Sequence, residues 1–233
     1  MRVHISMRIR TLLPLAALAL AAACSNSDGP EQVARVRFLH ASQGRAAIDF
    51  LADGTTRGPA ITYSANWSAS GVVKAGSRIL TARLTGSTAD LGSTTAVLAN
   101  SATYSIALAK RPAKDSLIVY ADTLATPAVD KSWVRILNLS PAAGTVDVYV
   151  TAANADLATV TPLAIGVAFL KPSKYVEVGS GALRVRLTTT GTKTVLLDIN
   201  TLALPSKGVR SIAVLDATAG GTPLQSVTGV EQN

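Results

Sequence analysis

His40, Ser42 and Asp49 are the residues whose types and spacing could carry covalent chemistry. A His two residues before a Ser, with an Asp across a short turn, can be written as a hydrolase set of base, nucleophile and orienting acid. The same residues also have a purely architectural use. Ser and Asp side chains bond backbone amides in turns, and a His can cap a strand end. Other catalytic signatures are missing: there is no Walker loop, no Gly-x-Ser-x-Gly elbow and no His-Glu-x-x-His. Gly179-Ser180-Gly181-Ala182 falls between strand-like runs rather than before a helix, which disfavours a dinucleotide site. Glu31, Glu177 and Glu231 are the only glutamates, too few and too scattered for paired-carboxylate glycoside chemistry. One Cys and two His exclude a disulfide framework and a Cys/His metal centre. No catalytic residue, metal or cofactor is expected.

Tyr63 and Trp67 are the candidates for contact with a glycan or peptide, because large amphipathic rings serve binding surfaces well. Trp133 opens the second half and suits packing beside a linker.

These side chains must be held by strands. Val33 to His40, Ala46 to Ala52, Gly71 to Lys74, Arg78 to Leu84, Ala96 to Leu98, Tyr104 to Ala109 and Ser116 to Tyr120 are short, β-branched or alternating runs. Asp53-Gly54, Ala75-Gly76, Gly86-Ser87 and Pro112 punctuate them. The pattern then repeats. VRFLHASQGRAAIDFL from Val36 matches VRILNLSPAAGTVDVY from Val134 at an offset of 98, sharing Arg37/Arg135, Ser42/Ser140 and Asp49/Asp147, with Asn138 in place of His40. Farther on, Val73 to Ser77 lies against Val176 to Ser180, Arg83-Leu84-Thr85 against Arg186-Leu187-Thr188, and Ser105 to Leu108 against Ser211 to Val214. The expectation is an all-β chain of two tandem immunoglobulin-like antiparallel β-sandwiches, 33–124 and 132–233, joined by a linker at 125–131. Arg37 and Asp49 then form a cross-strand pair within an opening hairpin, repeated by Arg135 and Asp147. Because the second copy lacks the His, the hydrolase set is not a property of the repeat.

The N-terminus reads as an address. Arg2, Arg8 and Arg10 precede the apolar run Thr11 to Ala23, too short to span a bilayer, with Met1 or Met7 as the start. The run ends at Cys24, and small residues before a Cys in that position resemble a bacterial lipobox. The resemblance implies a signal peptide at 1–23, a lipidated Cys24 and a flexible tether through residue 32. A thioether-linked anchor also removes a thiol that an oxidising compartment would attack. Ser25 after the Cys implies the outer membrane. Removing the three leader arginines and no acid from 22 basic and 14 acidic residues leaves +5, spread along strands, so nucleic acid is not an expected partner.

The two openings, VRFLHAS with AIDFLADG and VRILNLSPAAGTVDVYV, resemble domain-of-unknown-function family 4397, over roughly residues 33–229. The resemblance implies a bacterial envelope protein, often with tandem copies, and an immunoglobulin-like sandwich; it implies no activity. Sequence and resemblance together lead to a non-catalytic, lipid-anchored envelope module that binds an unidentified envelope protein or glycan or serves envelope architecture.

Overall fold

The computed structural model describes residues 30–122 and 125–230, so the leader, Cys24 and the start of the tether lie outside the described residues. Residues from Gln32 onward form one compact unit. It is all strand and turn, with no helix among the described residues.

Alternating apolar side chains give each strand two distinct faces. In the first half, β1 (Val33–Ala41), β4 (Gly71–Lys74), β7 (Thr103–Ala109) and β8 (Ser116–Asp122) form a sheet in the order β4-β1-β7-β8. Opposite it, β2 (Ile48–Ala52), β3 (Thr55–Ile61), β5 (Gly76–Leu84) and β6 (Asp90–Leu98) form a second in the order β3-β2-β5-β6. Val36 and Phe38 of β1 meet Ile48 and Phe50 of β2, with Leu80, Ile106 and Leu108, in the core between them. The Phe38 and Phe50 rings stack with centroids 4.8 Å apart. Burying each ring contributes about 1.5–3 kcal/mol.

The second half repeats the plan. β9 (Lys131–Asn138), β12 (Val176–Gly179), β15 (Gly208–Leu215) and β16 (Gln225–Val230) run in the order β12-β9-β15-β16. β10 (Val146–Thr151), β11 (Ala164–Val167), β13 (Gly181–Thr189) and β14 (Val195–Leu204) run in the order β11-β10-β13-β14. Its core gathers Ile136, Val148, Val185, Leu187, Ile212 and Val214. The chain is therefore two sandwiches, as the patterning predicts.

Four details differ from the sequence reading. First, β1 does not hairpin into β2: the connection Ser42–Ala47 carries the chain from one sheet to the other, because the inner faces of both strands are apolar and pack against each other. Second, β1 pairs with β7, and β9 with β15, in parallel, so one sheet of each sandwich is mixed. Third, β3 falls in a segment to which the sequence patterning assigns no strand. It forms because Asp53 (φ 48°) and Gly54 (φ 77°) make a two-residue turn of the left-handed kind that suits a hairpin. Fourth, the repeat alignment slips by two after β2. Gly76 opens β5 opposite Leu98, and its counterpart opposite Leu204 is Gly181, not Gly179. Likewise Arg83 faces Asp49, whereas Asp147 faces Thr188 rather than Arg186. A two-residue slip keeps every side chain on its own face, so alternation alone cannot detect it.

From Arg37 to Ala41 the outer face of β1 is as buried as the inner one. Leu39, Ala41, Ala107, Ala109 and Tyr120 of the first sandwich and Leu137, Leu139, Ala213, Leu215 and Val227 of the second form a third cluster, shared by both. The sheets that contain β1 and β9 thus pack against each other through this layer. A linker alone does not hold the halves together.

Candidate functional site

The arch after β1 holds the sequence-predicted triad residues, and it disperses them. His40 is fully buried. Its Nε2 lies 3.1 Å from the Ala46 carbonyl and its Nδ1 accepts the Ser42 amide at 3.2 Å. The ring therefore carries its proton on Nε2, and both nitrogens are engaged with backbone. Burial lowers its pKa from the ordinary value, against smaller opposing effects from the Ala46 and Arg45 carbonyls. Asp49 lies elsewhere: it accepts the Ala60 amide at 2.7 Å and the Thr85 hydroxyl at 2.9 Å. No base–acid pair forms between His40 and Asp49, so the hydrolase arrangement is not assembled.

The second sandwich explains the His. Asn138, also fully buried, accepts the Ser140 amide on Oδ1 at 3.3 Å and donates from Nδ2 to the Gly144 carbonyl at 2.8 Å. It thus makes the same two bonds as a neutral imidazole: one accepted from the residue two ahead, one donated to the residue six ahead. His40 and Asn138 are two solutions to one arch. The serines differ. Ser140 donates to the Asp216 carboxylate and accepts the Ala143 amide, while the Ser42 hydroxyl is buried without a hydrogen-bond partner. Asp147 parallels Asp49 by accepting the Gly166 and Gly191 amides, both at 2.8 Å. These aspartates tie β2 and β10 to the paired strands β3 and β11 and to a neighbouring turn, at the points where the register of the β2–β3 and β10–β11 pairs shifts.

Arg37 and Arg135 do not pair with these aspartates, correcting the cross-strand expectation. β1 and β2 lie in different sheets, and Arg37 sits on the face of β1 turned away from β2. Both arginines meet at the junction on Asp122. Arg37 Nη2 lies 3.6 Å from one carboxylate oxygen, and Arg135 Nη2 bonds the other. The side chains of all three are at most 4% exposed. The surroundings are two-fold. Arg37 Nε donates to Ser105 and Arg135 Nε to Ser211, at 2.9 and 2.6 Å. Arg37 reaches across to the Val230 carbonyl and Arg135 to the Ala121 carbonyl, both at 2.8 Å. Arg37 lies over the Trp67 ring at 4.7 Å and Arg135 over Tyr175 at 4.5 Å. A buried carboxylate between two guanidiniums satisfies the rule that buried charges need partners.

Tyr63 and Trp67 belong to the same junction. The Tyr63 hydroxyl donates to the Asp216 carbonyl at 2.8 Å, its ring stands edge-on to His40, and burial raises its pKa to about 12. Trp67 is packed on the shared cluster under Arg37. Beside it a cleft of about 230 Å³ is lined by Arg37, Asn66, Trp67, Ser68 and Gly229, and the buried indole N–H has no acceptor. A larger groove, about 600 Å³, runs between β6 and the Arg111–Asp115 loop. There Asp115 pairs with Arg45 at 2.9 Å. No group of three or more His, Cys, Asp or Glu among the described residues could hold a metal.

Sequence reasoning missed Asp122, Tyr120 and Gly229. Each gains its role only from strands brought together across the junction; Tyr120 and Gly229 hold matching places with unlike residues, and the place that matches Asp122 is Glu231, outside the described residues.

Residues 34–149 match the model of the family described as Domain of unknown function (DUF4397). The match covers the first sandwich from β1 and continues through β9 to Tyr149 of β10, so it includes Arg37, Asp122 and Arg135. No curated protein matches. Among solved structures, the family 26 carbohydrate-binding module of Eubacterium rectale Amy13K, crystallised with maltoheptaose, is similar at 10% identity and TM-score 0.28, covering 86% of this chain and 98% of that one. A protein described as a "putative adhesin" from Bacteroides ovatus is similar at 10% identity and TM-score 0.26, covering 89% and 97%. Scores this low carry no argument about ligand or activity.

Proposed function

We propose, for a chain that belongs to the DUF4397 family over residues 34–149, a non-catalytic envelope protein tethered by lipid on Cys24. Its two sandwiches serve as one rigid body that presents end loops and free strand edges to an envelope partner. The observation that carries this reading is the junction. Its apolar layer and the buried Arg37–Asp122–Arg135 cluster lock together what the sequence alone draws as two linked domains. The residues that look catalytic support the same reading. His40 and Asn138 make equivalent backbone bonds, which is what an architectural side chain does when two copies solve it differently. Anchoring rests on the apolar run that ends at the single Cys. A free edge such as β3, β6 or β11 suits strand addition by a partner.

One observation favours a narrower reading, recognition of a glycan or peptide at Trp67. The cleft is lined by the Trp67 ring with Arg37, Asn66 and Ser68, an aromatic face flanked by polar groups. A pull-down from envelope extract with residues 25–233, repeated with Trp67→Ala, separates the two. Capture that survives the substitution supports edge or loop binding, and capture that disappears while the variant stays folded supports the cleft. Mass spectrometry of the exported chain tests the anchor: a diacylglyceryl adduct on Cys24 supports it, and an unmodified thiol rejects it.

A further inference from the structure

The junction is two-fold in its grip but not in its shape. In the first sandwich one row across the sheet reads Arg37–Ser105–Tyr120. The corresponding row of the second reads Arg135–Ser211–Gly229. Arg and Ser match; Tyr120 and Gly229 do not. A Cβ on Gly229 would stand 2.7 Å from Arg37 Nη1 and 2.9 Å from the Trp67 indole, so the glycine is what lets that stack approach. In the reverse direction there is room for a large side chain. Tyr120 is buried, and its hydroxyl donates to the Leu170 carbonyl of the second sandwich at 3.2 Å.

We infer that this face of the first sandwich is keyed: it accepts the second sandwich and rejects another copy of itself. Two first sandwiches set on the same two-fold axis would drive each Trp67 and Arg37 into the other's Tyr120, where only a hydrogen side chain fits. Two second sandwiches would leave Gly229 opposite Tyr175, with a void where Tyr120 now packs. The shared features supply attraction, and the mismatch supplies discrimination, as specificity between similar partners requires. Chains crowded on a membrane would then keep their own halves together rather than assemble through this surface.

Two measurements on the chain from Ser25 onward, which holds all three cores, test the key. In the first, Gly229→Ala should raise the unfolding equilibrium constant about tenfold or more, the cost of overpacking a close contact. In a Trp67→Ala background the same change should cost much less. Additive effects would overturn the assignment. In the second, a protease site is inserted between Ala128 and Val129, the chain is cut, and the halves are unfolded, refolded together and weighed by native mass spectrometry. Mixed 1:1 pairs alone are expected, with pairs of first halves appearing once Tyr120→Gly is added. First-half pairs with Tyr120 intact, or halves that stay monomeric, would overturn the inference.

Discussion

Replacing His40 by Asn should leave the protein nearly as stable at neutral pH and remove its sensitivity to mild acid. The imidazole accepts the Ser42 amide and donates to the Ala46 carbonyl, and Asn138 shows that a side-chain amide can do both at the same place in the second sandwich. Each buried partner left unbonded costs about 1–3 kcal/mol. His40→Ala strands both and opens a cavity, so it should cost several kcal/mol; His40→Asn should cost about 1 kcal/mol. The pH dependence follows from the lowered pKa of His40, caused first by burial. Below about pH 6.5 the unfolded chain takes up a proton that the folded arch refuses. Stability is therefore full above that pH and falls as the pH drops toward the lowered folded value, with a slope of at most about 1.4 kcal/mol per unit. Apart from His4 in the leader, His40 is the only His, so in residues 25–233 this slope has one histidine source. The assay is urea unfolding at a series of pH values from 7.5 to 5. A His40→Asn variant that keeps the slope, or that costs as much as His40→Ala, would refute the reasoning.

Asp122→Asn should be far more damaging than its single position suggests, about 3–5 kcal/mol by denaturant unfolding, because it removes a charge shared by two buried guanidiniums. Alkaline titration followed by phenolate absorbance should find Tyr63 and Tyr120 silent until far above the ordinary tyrosine range. Burial raises both, Tyr63 to about 12, and their ionisation should coincide with unfolding. Cys24→Ala should shift the exported chain from the membrane fraction to the soluble one while leaving its unfolding midpoint unchanged, since the three apolar clusters draw on residues from Ala34 onward.

Most of the strands were legible because alternation and turn chemistry are local. Gly71–Lys74 is found where its sequence places it, and the Asp53-Gly54 turn needs no tertiary information. β3 was missed because Thr55–Ile61 is largely exposed and contains Gly58 and Pro59, which read as loop; Gly58 is there because a Cβ would meet the Phe38 ring at 2.7 Å. Sheet membership was not legible. A short polar segment between two apolar runs looks the same whether it turns a hairpin or crosses between sheets, and the Arg37–Asp49 misassignment follows from that ambiguity. The repeat pointed to Arg37 and Asp49, and by its Asn138 counterpart to the place of His40, but not to their partners: β7, β8 and β16 for Arg37, the arch backbone for His40, and β3 with the turn after β5 for Asp49. Tyr63 and Trp67 looked like surface rings because nothing in one strand reveals that a second sandwich packs on its outer face.

The central claim is that the junction makes both sandwiches one rigid body. Spin labels on Val97→Cys and Ile165→Cys, both more than 70% exposed and in different sandwiches, report on it by pulsed electron resonance in residues 25–233, which lack Cys24. A single narrow distance distribution that broadens with Asp122→Asn is the predicted result; a broad distribution in the otherwise unaltered chain would contradict the account.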